Sequence, residues 1–435
     1  MAKLSPGGQV PNARLAALAL LFGVLDRRLP LDEALENAQV AASLAPRDRA
    51  FARALAATVL RRLGQIDAVA AACLQKPLTP KARAVGNILR LGIAQLLFLG
   101  TPAHAAVAET VALTQGRLAP YTSLVNAVLR RVAREGSSLL QGQDEVRLNT
   151  PPWLWQSWEA AYGTQSVRDI ARAHLQEAPL DLTAKADADA WATTLGAELL
   201  PTGSLRYRGD AAIIELPGYA EGAWWVQDAA AALPAKLLGH VRGRRVVDLC
   251  AAPGGKTAQL AAAGARVTAV DRSTGRMARL GGNLQRLGLQ AERVVADAQS
   301  WRPPEPADSI LLDAPCSGTG TIRRHPDLAH LKTLDDVTRL TALQDRLLDA
   351  ARDSLRPGGC LVYCVCSLQP EEGPQRIEAL LMRHTDLRRQ PVTPNEFDGI
   401  AEFISSEGDV RTLPSAWPSR GGLDGFFAAR LVRAA

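Results

Sequence analysis

The sequence has little of what marks secreted or membrane proteins. One apolar stretch, Leu15 to Leu25, follows Lys3 and Arg14 as the core of an export signal would. It has no small-residue cleavage site and runs directly into Asp26. It is also too short to cross a bilayer, since a spanning helix needs about 20 residues. We therefore expect neither secretion nor contact with a membrane.

Cysteine is scarce, with 6 residues in a chain of 435, and no pattern of a disulfide framework is present. Reduced thiols in a cytoplasmic enzyme are the natural interpretation. Aromatic residues make up only 5% of the chain, and low-complexity tracts and internal repeats are not evident. The composition is that of a globular protein long enough for two or three domains, and we expect a monomer.

The two common glycine-rich phosphate loops are also missing. A P-loop would need a glycine five positions before Gly255, where the chain has Cys250, and only Gly254 and Gly255 are available for a dinucleotide pattern. What is present is an apolar strand, Arg245 to Leu249, then this glycine turn and a helix starting near Lys256. Such a turn presents backbone N–H groups to a ligand. A nucleotide-like ligand without a phosphate contact, S-adenosylmethionine, fits best.

Positive charge is concentrated at one end of the chain. Residues 1–140 contain 17 Lys and Arg against 8 Asp and Glu, whereas residues 141–435 contain 33 against 36. This distribution favours an anionic partner for the first third of the chain. A solvated basic surface is the alternative.

That basic first third is predicted to be an all-helical domain over residues 8–137. Apolar residues recur at helical spacing in segments such as Asp48 to Leu63, Lys81 to Leu99 and Leu124 to Val132. Four short sequence motifs lie in the predicted helices: Ala13-Arg14, Arg47-Asp48-Arg49-Ala50-Phe51, Leu91-Gly92-Ile93-Ala94-Gln95-Leu96 and Ser123-Leu124-Val125-Asn126-Ala127-Val128-Leu129-Arg130-Arg131. In this order they resemble the NusB-like RNA-binding domain.

This resemblance implies contact with RNA. The candidate phosphate ligands are Arg14, Arg47, Arg49, Arg130 and Arg131. For each arginine taken singly, a solvated helix face is the competing interpretation.

A polar, glycine-containing linker is predicted over residues 136–149, followed by a small α+β domain at residues 150–226. Helices are expected at Trp153 to Tyr162 and Gln165 to Leu175, and strands at Leu180 to Lys185 and Ala211 to Leu216. We expect this unit to form one wall of an RNA cleft.

Residues 227–435 alternate strands with helices, which predicts an α/β, Rossmann-like, doubly wound parallel sheet. The predicted strands are Arg245–Leu249, Arg266–Asp271, Glu292–Ala296, Ser309–Asp313 and Gly359–Cys366, and the predicted helices are Thr257–Ala263, Thr274–Leu287 and Leu334–Leu355. The tail from Asp424 to Arg433 is predicted to add a final antiparallel strand.

Acidic residues stand at the carboxyl ends of these strands, where ligands bind in such sheets. Asp271 is placed to accept the ribose hydroxyls, and Asp297 to receive the adenine amino group. Asp313 ends the fourth strand. A single aspartate there can equally serve as a turn or helix cap, but several around one glycine turn favour a cofactor site.

Two cysteines also follow the carboxyl ends of predicted strands: Cys316 comes after the fourth strand and Cys366 after the fifth. A zinc site is disfavoured, because Cys364-x-Cys366 lacks a second pair at finger spacing, and no metal is predicted. A thiol there suits methylation of cytosine C5. Thiolate addition at C6 makes C5 nucleophilic, and loss of the C5 proton then expels the thiol.

Three further expectations belong to this chemistry. A nearby guanidinium, of Arg323 or Arg324, would lower the pKa of the attacking thiol, and both are candidate RNA ligands. Asp313 would hold the N3/N4 edge of the cytosine. Single-stranded or loop RNA would be the easiest substrate, because flipping a base out of a duplex costs a few kcal/mol.

The residues that carry the family resemblance are Trp225-Val226-Gln227-Asp228, the run Asp248 to Thr257, the run Asp313 to Gly320, and Cys366-Ser367-Leu368-Gln369-Pro370-Glu371-Glu372. Together they resemble the RNA cytosine-C5 methyltransferases of the NOL/NOP2/Sun family. The added NusB-like domain makes the whole chain similar to the bacterial members that act on small-subunit ribosomal RNA.

The resemblance implies which residues do what. S-adenosylmethionine would contact Cys250, Ala251, Ala252, Pro253, Gly254, Gly255, Lys256, Asp271, Asp297 and Asp313. Spacing alone leaves open which cysteine attacks; the resemblance makes Cys366 the nucleophile and gives Cys316 a part in product release. Alternatives are an RNA-binding module with an inert catalytic domain, or an oxidoreductase, which would need the missing dinucleotide pattern.

Overall fold

The computed structural model describes residues 12–396 and 401–435. These residues form two compact units: 12–175 with 322–332, and 176–321 with 333–396 and 401–435. The predicted start of the helical domain, residues 8–11, lies outside the described residues. Within residues 12–396 and 401–435, no helix is long and apolar enough to cross a membrane.

The helices and strands have the following bounds. The helices are α1 (Ala13–Leu25), α2 (Leu31–Asn37), α3 (Gln39–Ala42), α4 (Pro46–Arg61), α5 (Leu63–Cys73), α6 (Arg83–Leu97), α7 (Ala103–Val111), α8 (Thr122–Leu140), α9 (Glu145–Leu148), α10 (Pro152–Tyr162), α11 (Thr164–His174), α12 (Ala188–Leu195), α13 (Leu233–Lys236), α14 (Gly255–Ala262), α15 (Thr274–Leu287), α16 (Leu328–Leu331), α17 (Leu334–Ser354) and α18 (Pro374–Arg383). The strands are β1 (Leu180–Ala184), β2 (Glu198–Leu199), β3 (Leu205–Tyr207), β4 (Trp224–Val226), β5 (Arg245–Leu249), β6 (Arg266–Asp271), β7 (Glu292–Val295), β8 (Ala307–Asp313), β9 (Leu355–Val365), β10 (Leu387–Arg389), β11 (Val410–Thr412) and β12 (Phe426–Arg433).

The first unit has a helical core, which confirms the all-α prediction for the NusB-like region. Helix α1 begins at Asn12, whose side chain accepts a hydrogen bond from the Leu15 N–H at 2.8 Å, as an N-cap residue does. Helix α8 buries Val125, Val128, Leu129 and Val132 on one face. This i, i+3, i+4, i+7 spacing is the pattern from which the helix was predicted.

The predicted linker at 136–149 is mostly helical in the structure. Helix α8 continues to Leu140, and α9 follows at Glu145–Leu148. Gly136, which suggested a loop, is buried inside α8 instead. A Cβ at this position would lie 2.4 Å from Cδ2 of Leu97. The glycine therefore permits close helix packing, and it does not end the helix.

The two units divide the predicted middle domain, residues 150–226. Helices α10 and α11 belong to the first unit, where the rings of Trp158 and His174 meet edge to face with centroids 5.4 Å apart. Residues 176–226 belong to the second unit and form an antiparallel sheet of order β2-β3-β1-β4. The expected strand Ala211 to Leu216 is wrong: residues 213–215 form a 3-10 turn, and the Ile214 side chain is 69% exposed.

A short piece from the C-terminal half of the sequence, residues 322–332, belongs to the helical unit. Arg28 Nη1 donates to the His330 carbonyl at 3.0 Å, and the Leu31 N–H donates to Asp327 Oδ2 at 3.1 Å. The ring of His330 contacts the Leu60 carbonyl through Nε2 at 2.8 Å. These contacts join the α1–α2 connection, α2 and α4 to a segment hundreds of residues away in sequence.

The second unit contains the large sheet, of order β10-β12-β9-β8-β5-β6-β7 with β11 paired to β12. Strands β9, β8, β5, β6 and β7 are parallel, whereas β12 pairs antiparallel with β9. The α/β Rossmann-like prediction and the final antiparallel strand are therefore confirmed. Because the parallel strands share one direction, their carboxyl ends lie along one edge of the sheet, which we call the carboxyl edge.

Candidate active site

The glycine turn after β5 is shaped by two left-handed residues. Cys250 has φ 61°, and Gly254 has φ 103° immediately before α14. A Cβ on Gly254 would lie 2.7 Å from Cγ of Leu280, so both backbone conformation and space require glycine there. The first N–H groups of α14 have no acceptor within the helix. The turn therefore presents hydrogen-bond donors at the carboxyl edge.

Asp271, at the end of β6, is fixed against this turn. Its side chain is 3% exposed. Its Oδ2 accepts from the Ala252 N–H at 3.2 Å, and its Oδ1 accepts from the Ser273 N–H at 2.9 Å. Arg276 Nη1 lies 3.6 Å from Oδ2. The carboxylate is thus held in place at the strand end, where the sequence predicts the ribose contact.

Asp248 ties the strand to the helix beneath the turn. It is fully buried and accepts a hydrogen bond from Thr257 Oγ1 at 2.6 Å. Burial raises the pKa of Asp248 to about 7, although the Thr257 hydrogen bond acts in the opposite direction. The contact anchors the first turn of α14 to β5.

Asp297 lies just beyond β7 and is exposed. Its Oδ1 accepts from the Gln299 N–H at 2.9 Å. The preceding residue, Ala296, donates its N–H to the Asp271 carbonyl at 3.2 Å. Asp297 therefore stands near Asp271 at the carboxyl edge. Its predicted contact with adenine stays a prediction.

The Lys256 side chain is buried and makes an ion pair and a contact with an aromatic ring. Its Nζ donates to Asp313 Oδ2 at 2.7 Å and lies 4.9 Å from the centroid of the Phe426 ring. Its side chain is only 10% exposed. Burial lowers the pKa of Lys256, but Asp313, Cys364 and Asp248 together outweigh this effect, and the net shift is upward. An ammonium group is thereby held against Asp313 at the end of β8.

The two candidate catalytic cysteines lie together. Cys316 Sγ and Cys366 Sγ are 3.4 Å apart, and both residues are half-buried. The contact with the Cys366 thiol, then burial, raises the pKa of Cys316 well above its ordinary value. Two strands that are neighbours in the sheet, β8 and β9, bring these residues together although they are 50 positions apart.

The remaining thiols in this unit are expected to have low reactivity, because their pKa values are raised. Burial raises the pKa of Cys250 to about 12 and that of Cys360 to about 11. Cys364 is fully buried, its Sγ lies 3.5 Å from Asp313 Oδ1, and burial raises its pKa well above the ordinary value. Thiols with raised pKa values carry little thiolate at neutral pH.

Glu372 is a residue to which the sequence assigned no role. It is fully buried, and its carboxylate accepts hydrogen bonds from the residues that follow both cysteines, Ser317 and Ser367. Its place directly in the Cys366 motif was the available signal, but the contact with the Cys316 loop depends on strand pairing and cannot be read from the sequence.

The predicted RNA-binding arginines fall into two groups. Arg47 and Arg130 are exposed, and Arg49 is half-exposed. In contrast, Arg14 donates to Gln95 Oε1 at 2.7 Å with its side chain 18% exposed, and Arg131 donates to Glu135 Oε2 at 2.8 Å.

Arg323 and Arg324 belong to the helical unit, whereas both candidate cysteines belong to the other. Arg323 is 1% exposed, and its carbonyl accepts from Arg61 Nη2 at 3.0 Å. Its guanidinium is therefore not offered to solvent. The effects proposed for Arg323 and Arg324, on a thiol pKa and on RNA, stay predictions.

The groups at the carboxyl edge fit S-adenosylmethionine. The helix N–H groups suit the carboxylate of its amino-acid part. The fixed carboxylate of Asp271 suits a pair of ribose hydroxyls, and the exposed carboxylate of Asp297 suits an amino group. No phosphate-binding pattern competes for this turn, so the donor and acceptor set matches the predicted ligand.

Comparison with known families gives two matches along the sequence. Residues 235–432 match the family described as 16S rRNA methyltransferase RsmB/F, and residues 11–134 match the NusB family. Among curated proteins, the ribosomal RNA small subunit methyltransferase B of Vibrio cholerae is 38% identical over 88% of this chain and 92% of the relative. That of Pseudomonas putida is 38% identical over 98% of this chain and 99% of the relative.

Solved structures agree with the fold. The crystal structure of PH0851 has a TM-score of 0.71 at 24% identity, covering 97% of this chain and 99% of that chain. A methyltransferase homolog protein from Pyrococcus horikoshii has a TM-score of 0.54 at 25% identity, covering 70% of this chain and 98% of that chain. The likeness extends across both the helical and the α/β regions in the first case.

Proposed function

Because this chain belongs to the RsmB/F family of 16S rRNA methyltransferases, we propose that it methylates C5 of a cytidine in small-subunit ribosomal RNA. The proposed methyl donor is S-adenosylmethionine. The observation that carries the proposal is the pair of thiols, Cys316 and Cys366, with sulfur atoms 3.4 Å apart at the carboxyl edge. Methyl transfer to an oxygen or a nitrogen would need no such pair.

The first step belongs to Cys366. Its thiolate adds to C6 of the cytosine, and the electron pair of the C5–C6 double bond moves so that C5 becomes an enamine-like nucleophile. S-adenosylmethionine, when bound, supplies the methyl group to this carbon. A base then takes the C5 proton, the double bond re-forms, and the Cys366 sulfur leaves C6.

Asp313 and Lys256 are proposed to bind and orient the cytosine ring. The cytosine N4 amino group can donate to the Asp313 carboxylate, whose Oδ2 accepts from Lys256 Nζ at 2.7 Å. Holding this edge fixes the ring over the thiols, and the Lys256 ammonium group beside Asp313 offsets the negative charge that addition at C6 feeds into the ring. The buried lysine keeps the Asp313 carboxylate in one orientation.

Cys316 is proposed to act after methyl transfer. Its raised pKa keeps it as a protonated thiol at neutral pH. A thiol 3.4 Å from the attacking sulfur can hand a proton to the departing Cys366 thiolate and so help to release the product. The two neighbouring cysteines then have different roles: Cys366 attacks the cytosine, and Cys316 donates a proton during product release.

The exposed Arg47 and Arg130 and the half-exposed Arg49 of the helical unit are proposed to bind RNA phosphates. Each phosphate contact that is lost should reduce the dependence of binding on salt concentration by about one unit of slope. A titration of the Arg47→Ala, Arg49→Ala double variant against RNA at several salt concentrations tests this. An unchanged slope would remove both residues from the interface.

Incubation with labelled S-adenosylmethionine and unmodified small-subunit RNA tests the function itself. Digestion of the RNA to nucleosides should place the label in 5-methylcytidine. RNA that is bound but remains unlabelled would favour a binding module, and label in another nucleoside would refute the proposed reaction. Reaction in the cytoplasm, as a monomer, is part of the proposal; light scattering of the purified chain checks the monomer.

A further inference from the structure

The Glu372 carboxylate accepts hydrogen bonds from both cysteine loops. Its Oε1 accepts from the Ser317 N–H at 2.9 Å, and its Oε2 accepts from Ser317 Oγ at 2.5 Å. The same Oε2 accepts from Ser367 Oγ at 2.6 Å. Ser317 directly follows Cys316, and Ser367 directly follows Cys366. One buried carboxylate therefore fixes the residue after each thiol.

A second side chain completes the hold on the Cys316 loop. Gln344, fully buried on α17, donates its Nε2 to Glu372 Oε1 at 3.1 Å and to the Pro315 carbonyl at 2.9 Å. The backbone on both sides of Cys316 is therefore hydrogen-bonded to this pair of side chains. Neither Gln344 Nε2 nor the Ser317 N–H can accept a proton, so Glu372 Oε1 is an unprotonated acceptor.

Glu372 is itself fixed in position. Its carbonyl accepts a hydrogen bond from the Tyr363 hydroxyl at 2.6 Å, and Tyr363 is fully buried on β9. With its backbone attached to one strand and its carboxylate saturated by four donors, the side chain has little freedom. A buried carboxylate whose acceptor sites are all occupied is held in one orientation.

We propose that Glu372 is the positioning residue that sets the distance between the Cys316 and Cys366 thiols. It does not touch the reacting atoms; it acts through Ser317 and Ser367. The inference rests on the proposed function, because that function gives the distance its importance. Its negative charge also contributes to the raised pKa of Cys316, behind the contact with Cys366 and burial.

Two variants separate the hydrogen bonds from the charge. Glu372→Ala removes all four acceptor contacts. Glu372→Gln can keep them, because its amide oxygen still accepts from the Ser317 N–H and Gln344, while its amide NH2 donates to two serine hydroxyls that rotate to accept. Glu378→Ala, on the exposed side of α18, removes a carboxylate that has no part in the network and serves as the matched control.

The experiment measures how fast the thiol-oxidising agent diamide joins Cys316 to Cys366. Diamide accepts the two hydrogen atoms as the two sulfurs form a disulfide, and peptide mapping quantifies the linked pair in the full chain. Circular dichroism and the melting temperature verify folding. We expect Glu372→Ala to slow the cross-link at least about tenfold, whereas Glu372→Gln and Glu378→Ala remain within about threefold of wild type.

The methylation assay adds a second readout. In Glu372→Ala the kcat should fall about 100-fold while KM for S-adenosylmethionine stays within about twofold, since only the thiols are displaced. A folded Glu372→Ala chain that cross-links at the wild-type rate overturns the inference. The cross-link needs neither RNA nor S-adenosylmethionine, so a wild-type chain without methylation counts against the proposed function only.

A chain in which Glu372→Ala fails to fold still leaves a test. The double variant Ser317→Ala, Ser367→Ala keeps the carboxylate with its contacts to the Ser317 N–H and to Gln344. It loses both hydroxyl bonds to Glu372, together with the contacts of these hydroxyls with each other, with Thr319 and with the Gln369 N–H. The inference predicts a slower cross-link in this variant as well. A wild-type rate in the folded double variant refutes it.

Discussion

The Cys316 loop and the Cys366 loop differ more than their positions suggest. Both follow parallel strands of one sheet, and their sulfur atoms are 3.4 Å apart. The backbone is hydrogen-bonded beside both thiols: at the Pro315 carbonyl and the Ser317 N–H for Cys316, and at the Cys366 and Ser367 carbonyls for Cys366. The difference lies at the sulfur, because contact with Cys366 and burial raise the pKa of the Cys316 thiol. Placement at a strand end is shared, but the surroundings of the sulfur set the chemistry.

The largest expected effect comes from removing the proposed nucleophile. Cys366→Ala should lower methyl transfer by more than about 1,000-fold, because no thiolate is left to add at C6. Radiolabel transfer to RNA measures it. Cys360→Ala, on strand β9 directly before Cys366, is the control and should keep its activity. Substantial turnover by Cys366→Ala would mean that the two loops have been assigned the wrong way round.

The second variant separates attack from release. In Cys316→Ala we expect turnover to fall about 100-fold, since proton transfer to the leaving sulfur is lost. Attack by Cys366 remains possible, so a covalent protein–RNA complex should accumulate and survive a denaturing gel. If the complex forms in Cys366→Ala and is absent in Cys316→Ala, the roles of the two thiols are reversed.

Alkylation with iodoacetamide compares the thiols without any reaction on RNA. The thiolate is the form that reacts, and raising a pKa by one unit lowers the thiolate fraction about tenfold at a pH below that pKa. We therefore expect Cys316 to label at least about tenfold more slowly than Cys366 at pH 7.5, and its rate to rise as the pH increases. Peptide mapping measures the alkylation rate of each thiol. Equal rates for Cys316 and Cys366 would contradict an electrostatic difference between the two loops.

The smallest effect concerns a third thiol near the pair. Cys364 is fully buried on β9 and its sulfur contacts Asp313. Cys364→Ala should reduce the free energy of unfolding by about 1 kcal/mol through lost packing, with turnover slowed by less than about tenfold. Urea denaturation measures the first quantity. A loss of activity as deep as in Cys366→Ala would add Cys364 to the reacting groups.

The sequence was sufficient for the features that depend on neighbouring residues. Strands β5 and β6 and helix α15 have the predicted ends, since apolar runs and glycine turns are local signals. The alignment of Asp271, Asp313 and the cysteines on one edge also followed, because parallel strands must end together. The Rossmann-like fold and the carboxyl edge were therefore predictable.

What escaped prediction depends on contacts between distant residues. Gly136 reads as a loop signal, but it lies buried against Leu97. Residues 322–332 fall within the predicted α/β domain, but they pack within the helical unit, where Arg323 is buried. The role of Glu372 requires knowing that β8 and β9 are neighbours. In each case the deciding partner is far away in the chain, where periodicity and turn chemistry give no information.

The most direct measurement uses small-subunit RNA that contains 5-fluorocytidine. Fluorine at C5 cannot be removed as a cation by a base, so a thiol that has added to C6 stays attached after methyl transfer. Nuclease and protease digestion followed by mass spectrometry then identifies the modified cysteine. We predict a methylated fluorocytidine on the peptide containing Cys366. The same adduct on the Cys316 peptide, or no adduct at all, would contradict the proposed division of work between the two thiols.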